Sequence, residues 1–388
     1  MASRAPMSNP DVMKFRWQIH GQTLNFTRVA RVSGNHRSAD IPVRFGRVGA
    51  GPAGALSLGC QGVALGLLLF LANGWIGSSL AATHPSDAII YTGMADASGA
   101  VAVGTNWFAV ANDEDNPIRI YRRDQGGPPV KTFNFTAFLE LDPKKSEVDF
   151  EAATRLGDRA YWLSSNGRNR KGKERSNRHR FYATTILETA HGVDLTPVGK
   201  PYKWLLEDLC SAPQLKRFNL AQAAALPPKD AGALNIEGLC GTPDQRLLIG
   251  FRNPVPGGLA LVVPMMNPDG AIAGKRAVLG EPILLDLGGL GIRDLAYGEG
   301  KYLIVAGPYD GHKDGGFALY EWSGGVDQPK KLKVKLRGFS PEAIIIYPDK
   351  GLKEFQLLSD DGTRKIQGRI NKELPLPEQQ FRGYWVTR

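Results

Sequence analysis

Five acidic residues recur along the chain, and each opens a short apolar run that a second run follows after a turn. The stretch Asn235–Pro254, NIEGLCGTPDQRLLIGFRNP, shows the pattern, which ends in a cluster of Gly, Asn, Asp or Arg. Carboxylates that converge on one axis repel each other unless a cation, protons or hydrogen bonds offset their charge. Carboxylate oxygens are typical ligands of hard divalent cations, and we therefore predict a calcium site. The candidate ligands are Asp96, Glu151, Glu237, Asp294 and Glu342, spaced 55, 86, 57 and 48 residues apart.

A structural interpretation of the same acids stands beside the metal site. Recurring Asp and Glu side chains also accept hydrogen bonds from nearby backbone N–H groups, which would tie each unit to the next. The sequence leaves both interpretations open. Glu151, Glu237 and Glu342 are the better ligand candidates, because their E-A or E-G contexts are most alike.

A basic segment, Gly167–Arg180 (GRNRKGKERSNRHR), carries seven Arg or Lys residues. Guanidinium groups offer paired donors to phosphate or sulfate, so the segment predicts an anion clamp, and a solvated hairpin tip is the alternative. No aromatic side chains are interleaved for base stacking, which argues against specific nucleic-acid binding. The expected substrate-binding residues are Asn166, Arg168, Arg170, Arg252, Asn253 and Asp310.

His312, within GPYDGHKDGG, is the candidate general acid or base, and an exposed loop histidine is the alternative. The sequence holds no G-x-S-x-G, H-E-x-x-H or P-loop motif. We therefore expect a hydrolase, if the protein is an enzyme, to depend on a cation rather than on one of these constellations.

The elements that would position these residues are short strands separated by Gly, Pro, Asn and Asp. Repeating units of four strands predict an all-β, five-bladed β-propeller, with six blades as the alternative. Lys203–Ala225 has helical spacing and predicts a helical insertion. The last unit is predicted at Ala343–Tyr347, Phe355–Leu358, Gln367–Ile370 and Gly383–Thr387.

Propeller geometry predicts where the acids lie. The first strand of each blade lines the central channel and runs away from the top face, and the second strand runs back to that face. The residue that opens the first strand and the residues that end the second strand therefore lie on the same face. A strand from Ile89 is expected to complete a terminal blade and close the ring, which removes exposed sheet edges.

The N-terminal residues 1–82 differ from the expected propeller domain, 83–388. A basic flank, the apolar core Val63–Trp75 and the small residues after it are typical of a signal peptide. An uncleaved anchor is the alternative, since the uncharged window approaches the length of a spanning helix. We expect a periplasmic or secreted protein, with membrane contact only through this segment if it stays uncleaved.

The net charge of +10 is concentrated at the N-terminus, because residues 1–81 contribute +6 and the remainder only +4. The expected partner is an anionic small molecule or a cell-surface polyanion, bound by a monomer. Cys210 and Cys240 form a disulfide in an oxidising compartment or remain two buried thiols, and the sequence leaves both open.

Several of these motifs resemble the bacterial domain-of-unknown-function family numbered 3616. The resemblance spans about residues 88–365 and is carried by NIEGLCGTPDQRLLIGFRNP, ILLDLGGLGIRDLAYGEGKYLIVAGPYDG and PEAIIIYPDKGLKEFQLLSDDG. It transfers no catalytic residue. At the level of fold alone, the acidic openers are similar to those of phytase-like esterases and calcium-dependent lactonase and strictosidine-synthase-like propellers.

Taken together, these patterns predict a divalent-cation-dependent hydrolase of an anionic, phosphoester-type substrate. A non-catalytic propeller that binds a ligand or protein on the same face is the alternative.

Overall fold

The computed structural model describes most of the chain after residue 87 and one hairpin before it. Contacts divide the chain into two units, Met1–Asn73 and Gly74–Arg388, and each is described by itself. In the first unit, strands β1 (Lys14–Ile19) and β2 (Gln22–Thr27) pair antiparallel. The predicted signal or anchor core, Val63–Trp75, lies outside the described residues. The described residues are 14–19, 22–27, 88–145, 147–189, 192–311, 316–336 and 338–388.

The second unit is built from five four-stranded antiparallel sheets, which are the blades of a propeller. The first two blades follow chain order from the inside outwards. Blade one contains β4 (Ala97–Ala102), β5 (Trp107–Asn112), β6 (Ile118–Arg122) and β7 (Lys131–Phe133). Blade two contains β8 (Phe150–Leu156), β9 (Arg159–Ser164), β10 (Phe181–Thr189) and β11 (Gly192–Tyr202).

Blades three and four repeat this order. Blade three contains β12 (Asn235–Gly241), β13 (Leu247–Asn253), β14 (Ala260–Met265) and β15 (Ile283–Leu285). Blade four contains β16 (Gly291–Gly298), β17 (Lys301–Gly307), β18 (Ala318–Trp322) and β19 (Lys330–Lys331).

Blade five closes the ring with a strand from the other end of the unit. Its order is β20 (Pro341–Ile345), β21 (Glu354–Ser359), β24 (Gln380–Thr387) and then β3 (Ile89–Thr92). The prediction of a closing strand at Ile89 is confirmed. The prediction of a blade strand at Gln367–Ile370 is wrong, because β22 (Lys365–Ile366) and β23 (Arg369–Ile370) form a separate short hairpin.

The five-bladed prediction is confirmed by the contacts of the innermost strands, which run β4, β8, β12, β16, β20 and back to β4. These strands lie between neighbouring blades and bury both faces. Every residue of β12 and β13 is buried, which explains their continuous apolar character. A Cβ on Gly238 would lie 2.4 Å from Leu295 Cδ1, so the small residue after Glu237 is needed for packing against blade four.

The helical insertion is confirmed between blades two and three. It contains α1 (Leu205–Ser211), a short 3₁₀ segment and α2 (Leu220–Ala223). Leu205, Leu209 and Leu220 are buried in the core that blades two and three share. A further short helix, α3 (Pro268–Ile272), was not predicted and lies between β14 and β15. Among the described residues, no helix is long and apolar enough to cross a bilayer.

Candidate functional site at the mouth of the channel

The strand register brings the predicted residues to one end of the propeller. In every blade, the start of the first strand pairs with the end of the second, as Phe150 does with Ser164 and Asn235 with Asn253. A β-bulge, which redirects a side chain, follows this pair within one or two residues in each blade. The acids that open the blades therefore meet the residues that end the second strands.

The bulges decide which side chains are equivalent between blades. Glu151, Glu237 and Glu342 occupy the unpaired bulge position in blades two, three and five. In blade four, Ile292 and Asp294 are paired and Arg293 takes this position. The ring thus carries an arginine where the sequence spacing suggested a fourth acid.

Asp294 is used structurally. It is buried, and its Oδ1 and Oδ2 accept hydrogen bonds from the backbone N–H groups of Leu295 and Ile344, at 2.7 Å each. Burial raises its pKa well above the usual range, against the effect of these two donors. Asp294 ties blade four to β20 of blade five and is not among the residues that line the cavity. The backbone-capping interpretation holds for this residue.

A cavity of about 730 Å³ opens at this end of the channel, and charged side chains of both signs line it. The acidic lining residues are Asp96, Asp113, Glu114, Glu147, Asp149, Glu151, Glu237, Glu342, Asp360 and Glu373. The basic lining residues are Arg170, Lys171, Arg175, Arg178, Lys229, Arg252, Arg293 and Lys372.

On the side of blades three and four, two buried arginines face two buried glutamates. Arg252 Nη1 donates to Glu237 Oε1 at 2.7 Å, and Arg293 Nε lies 2.9 Å from Glu237 Oε2 without hydrogen-bond geometry. Arg293 also contacts Glu342. Asn235 Nδ2 donates to Glu237 Oε1 at 2.7 Å. The predicted ligands Glu237 and Glu342 are therefore already engaged by cations of the protein.

Lys229 adds a third cation to this side, which we call the basic wall (Lys229, Arg252 and Arg293). A Cβ on Gly311 would lie 3.0 Å from Lys229 Nζ and 3.3 Å from Arg252 Nη2, so the two cations converge on this glycine. Burial and the neighbouring arginines lower the pKa of Lys229. Three cations against the two buried glutamates leave a net charge of +1 on this side, which favours a bound anion.

Asn253 positions the basic wall and does not itself line the cavity. Its side-chain amide donates to the carbonyl oxygens of Pro228 and Asp230, at 3.1 and 2.7 Å, and so holds the loop that carries Lys229. The residue is 1% exposed.

On the side of blade one, three carboxylates gather beside one cation, Lys372. Oxygens of Asp96, Asp113 and Glu114 lie within 4.8 Å of one another, a spacing that fits a bound metal ion. Asp96 is only 4% exposed, and among the described residues its Oδ2 has no hydrogen-bond partner, nor has the buried Asp113 Oδ1. Lys372 Nζ donates to Glu114 at 2.6 Å. We call this trio of carboxylates the acidic cluster.

The proximity of these acids shifts their pKa values upwards. Burial, followed by the neighbouring Asp360, raises the pKa of Asp96 to about 9. Burial and the charges of Asp96 and Glu151 raise the pKa of Asp113 well above its usual range. Burial, then Glu237 and Asp149, does the same for Glu151, against the lowering effect of Arg293 and Arg252. Bound cations would relieve this crowding.

The basic segment divides its side chains between two tasks. Arg170 and Lys171 are exposed and line the cavity. Arg168 instead donates to the carbonyl oxygens of Ala224 and Gly172, at 2.9 and 3.0 Å, and fixes the segment against the helical insertion. Arg180 is buried and donates to backbone carbonyls of neighbouring loops.

The remaining predicted residues lie apart from the cavity lining. Asn166 is buried, donates to the Ser164 carbonyl oxygen at 2.8 Å and borders a separate pocket of about 150 Å³. Asp310 is half-buried and does not line the cavity. His312 lies outside the described residues. Cys210 and Cys240 are free thiols, and Cys240 is fully buried, so the disulfide alternative is wrong in this structure.

Sequence reasoning missed Arg293 and Lys229. The signal for Arg293 was present, because Ile292-Arg293 aligns with Ile236-Glu237 when the units are matched on their isoleucines. Lys229 belongs to a loop outside the repeat and had no such signal.

Structural comparison finds distant propeller-like neighbours. Glutaminyl cyclase from Myxococcus xanthus is 11% identical with a TM-score of 0.42, and the match covers 80% of this chain and 97% of that one. The PQQ-bound aldose sugar dehydrogenase from Streptomyces coelicolor is 11% identical with a TM-score of 0.37, covering 79% and 99%. Structural similarity at this level gives no information about activity. No curated protein matches the sequence.

A family model matches the centre of the chain, residues 198–347. The match includes Lys229, Arg252, Arg293, Glu237 and Glu342, and the acidic cluster lies outside it. The resemblance predicted from the sequence is therefore confirmed over residues 198–347, as similarity to the family described as "Protein of unknown function (DUF3616)".

Proposed function

We propose that the cavity is a divalent-cation-dependent hydrolytic site for an anionic, phosphoester-type substrate. The observation that carries the proposal is the separation of charge within one cavity. Unpartnered carboxylate oxygens of Asp96 and Asp113 lie on one side, and the basic wall lies on the other. Calcium suits the first set and a phosphate group suits the second.

The parts of the site have distinct roles in this proposal. Asp96, Asp113 and Glu114 would hold the calcium ion, which would supply polarisation of the ester and activation of a water molecule. Lys229, Arg252 and Arg293 bind the anionic oxygens. Glu151 lines the same cavity and, among the described residues, has no hydrogen bond to its carboxylate. We assign to it the acceptance of the proton from the attacking water.

The cation is tested by thermal unfolding with calcium and with chelator. Calcium is expected to raise the unfolding midpoint of the wild type, because an ion that binds only the folded state stabilises it. Asp96→Asn is expected to abolish the rise. Asp158→Asn, in the exposed turn between β8 and β9 at the opposite end of blade two, is the matched control and should keep it. A midpoint that calcium leaves unchanged in the wild type would refute the metal site.

Catalysis is tested separately with a panel of chromogenic phosphoesters. The expected result is calcium-dependent turnover that Glu151→Gln lowers by at least about 100-fold, the range for loss of a general base. Calcium-dependent binding without turnover by the wild type would contradict the proposed hydrolase activity and support a binding protein.

A non-catalytic binding protein is the second candidate. The exposed side chains of Arg170 and Lys171 at the rim, and of Lys173 on the same loop outside the cavity, favour it, because they extend the positive surface beyond what one phosphate group needs. An extended polyanion at a cell surface would contact both this rim and the basic wall. Binding of a sulfated polysaccharide that outcompetes small phosphonates would support this candidate.

A further inference from the structure

A second cavity, of about 690 Å³, adjoins the first at the same end of the propeller. Three residues line both cavities: Phe317 before β18, Ser340 before β20 and Thr363 after β21. The two spaces therefore meet between blades four and five, and one ligand can occupy both.

One wall of the second cavity is apolar, and its side chains are held in place by packing. Leu336 and Phe339 are 9% and 4% exposed, and the Phe339 ring packs edge-on against Tyr384 with centroids 4.1 Å apart. Phe317 is half-buried, and a Cβ on Gly307 would lie 2.7 Å from its ring. Only glycine at 307 lets this ring settle against β17. The pocket is thus formed before any ligand arrives.

The polar side of this cavity carries Arg382, Asp361 and the exposed Arg364. Arg382 Nε and Nη2 donate to the two carboxylate oxygens of Asp361, at 2.7 and 2.6 Å. The Arg382 guanidinium also lies 5.5 Å from the Phe339 ring centroid. A buried arginine paired in this way makes little demand for an anion, but its face can still contact an aromatic ring.

Arg293 connects the two cavities. It belongs to the basic wall and also lies over the Phe317 ring, with its guanidinium carbon 5.9 Å from the ring centroid. A ligand whose anionic group reaches Arg293 therefore has an aromatic wall immediately beside that group.

We propose that the second cavity is a subsite for an aromatic group of the ligand, so that the substrate class is an aryl phosphoester. This inference rests on the proposed function for the anionic half of the ligand. The aryl ring lies between Phe317, Leu336 and Phe339, where aromatic pairs and apolar burial stabilise it.

The test compares phenylphosphonate with methylphosphonate, which carry the same anionic group and no ester bond that the protein could hydrolyse. Titration calorimetry in the presence of calcium is expected to show about tenfold tighter binding of the phenyl compound to the wild type. Thr363→Trp narrows the junction of the cavities, and Phe317→Leu removes its aromatic wall. Both variants should lose most of the preference for the phenyl compound and keep methylphosphonate binding.

Thr196→Trp, exposed on the outermost strand of blade two, is the matched control and should keep the preference. Equal, calcium-dependent binding of the two compounds by the wild type would overturn the subsite and leave the proposed function standing. A preference that survives in both cavity variants would also overturn it. Failure of both compounds to bind the wild type would overturn both proposals together.

Discussion

At the scale of single residues, the site is defined by which charges find partners. Glu237 and Glu342 share the bulge position with Glu151, yet among the described residues the first two form ion pairs with arginines and the third forms none. Their sequence contexts are nearly the same, so local sequence could not separate them. The separation depends on Arg252 and Arg293, which reach the cavity from a different strand and a different blade.

Arg252→Met tests the buried ion pair directly. Arg252 and Glu237 are 7% and 2% exposed, and removal of the cation leaves the carboxylate with Arg293 alone. The free energy of unfolding is expected to fall by about 3–5 kcal/mol, the cost of breaking a buried pair. Urea denaturation with a constant m-value measures this loss.

The matched control for this change is Arg246→Met. Arg246 pairs with Asp244 at the surface, with side chains 36% and 55% exposed. Exposed pairs contribute at most about 1 kcal/mol, so the loss should be correspondingly small. Equal losses in the two variants would contradict the account of a buried network around Glu237.

At the scale of elements, the basic segment has a structural role for some of its side chains and leaves others free to bind a ligand. The sequence showed a dense run of cations, and charge alone could not assign them. Arg168 and Arg180 are committed to backbone carbonyls, while Arg170 and Lys171 remain exposed beside the cavity. The difference arises from the helical insertion and from the loop before blade two, which supply carbonyl groups to the first pair only.

From these contacts we expect some substitutions in the basic segment to affect anion binding and others to affect stability. Arg170→Ala with Lys171→Ala is expected to weaken methylphosphonate binding several-fold and to lower its salt dependence, with no change in stability. Arg180→Ala should instead cost about 1–3 kcal/mol of stability, because it leaves the carbonyl oxygens of Leu139 and Glu140 without their donor. Calorimetry and urea unfolding measure the two effects.

Lys173→Ala is the control for this prediction. Lys173 is exposed on the same loop and is not among the residues that line the cavity. Its removal should leave phosphonate binding near the wild-type value. Unchanged affinity in the double variant would exclude the loop from anion binding.

At the scale of the whole molecule, ring closure forces acids from several blades into one space. β3 and β24 join the two ends of the propeller domain, and Tyr91 on β3 is fully buried in the resulting core. The closed ring brings Asp96 of blade one against Asp360 of blade five. Closure therefore adds the charge of Asp360 to the effect of burial, which is the larger cause of the raised pKa of Asp96.

Asp149 gives this crowding a measurable pH dependence. Burial raises its pKa from 3.8 to about 6, against the lowering effect of Arg178 and of the Ser165 hydroxyl. The folded state therefore binds this proton more tightly than the unfolded state, and its contribution to stability is lost as pH rises from about 4 to 6. Asp149→Asn should remove this loss and make the slope of stability against pH more positive, by up to about 1.4 kcal/mol per pH unit.

Asp349→Asn is expected to change the slope in the opposite direction. Hydrogen bonds from Arg123 lower the pKa of Asp349, so its contribution is present above the unfolded pKa and is lost as pH falls. Urea unfolding in chelator measures the two slopes, across about pH 4–7 for Asp149→Asn and below about pH 4 for Asp349→Asn, where the lowered pKa of Asp349 acts. A slope in Asp149→Asn equal to that of the wild type would show that the pKa of the Asp149 carboxyl is not raised in the folded state.

The sequence by itself determined the repeat, the five blades, the closing strand at Ile89 and the helical insertion. These follow from strand periodicity and turn residues, which are local and survive without knowledge of partners. It also placed the acids and the basic segment at one end of the channel, because antiparallel pairing fixes where adjacent strands begin and end.

Only the tertiary structure decided which charges oppose each other. A one-residue bulge puts Arg293 in the ring and turns Asp294 towards the backbone of blade five. The acidic cluster includes Asp113 and Glu114 from the end of a second strand, and the basic wall draws Lys229 from a loop outside the repeat. Such pairings join residues far apart in sequence, and their energies depend on burial and distance, which no local pattern encodes.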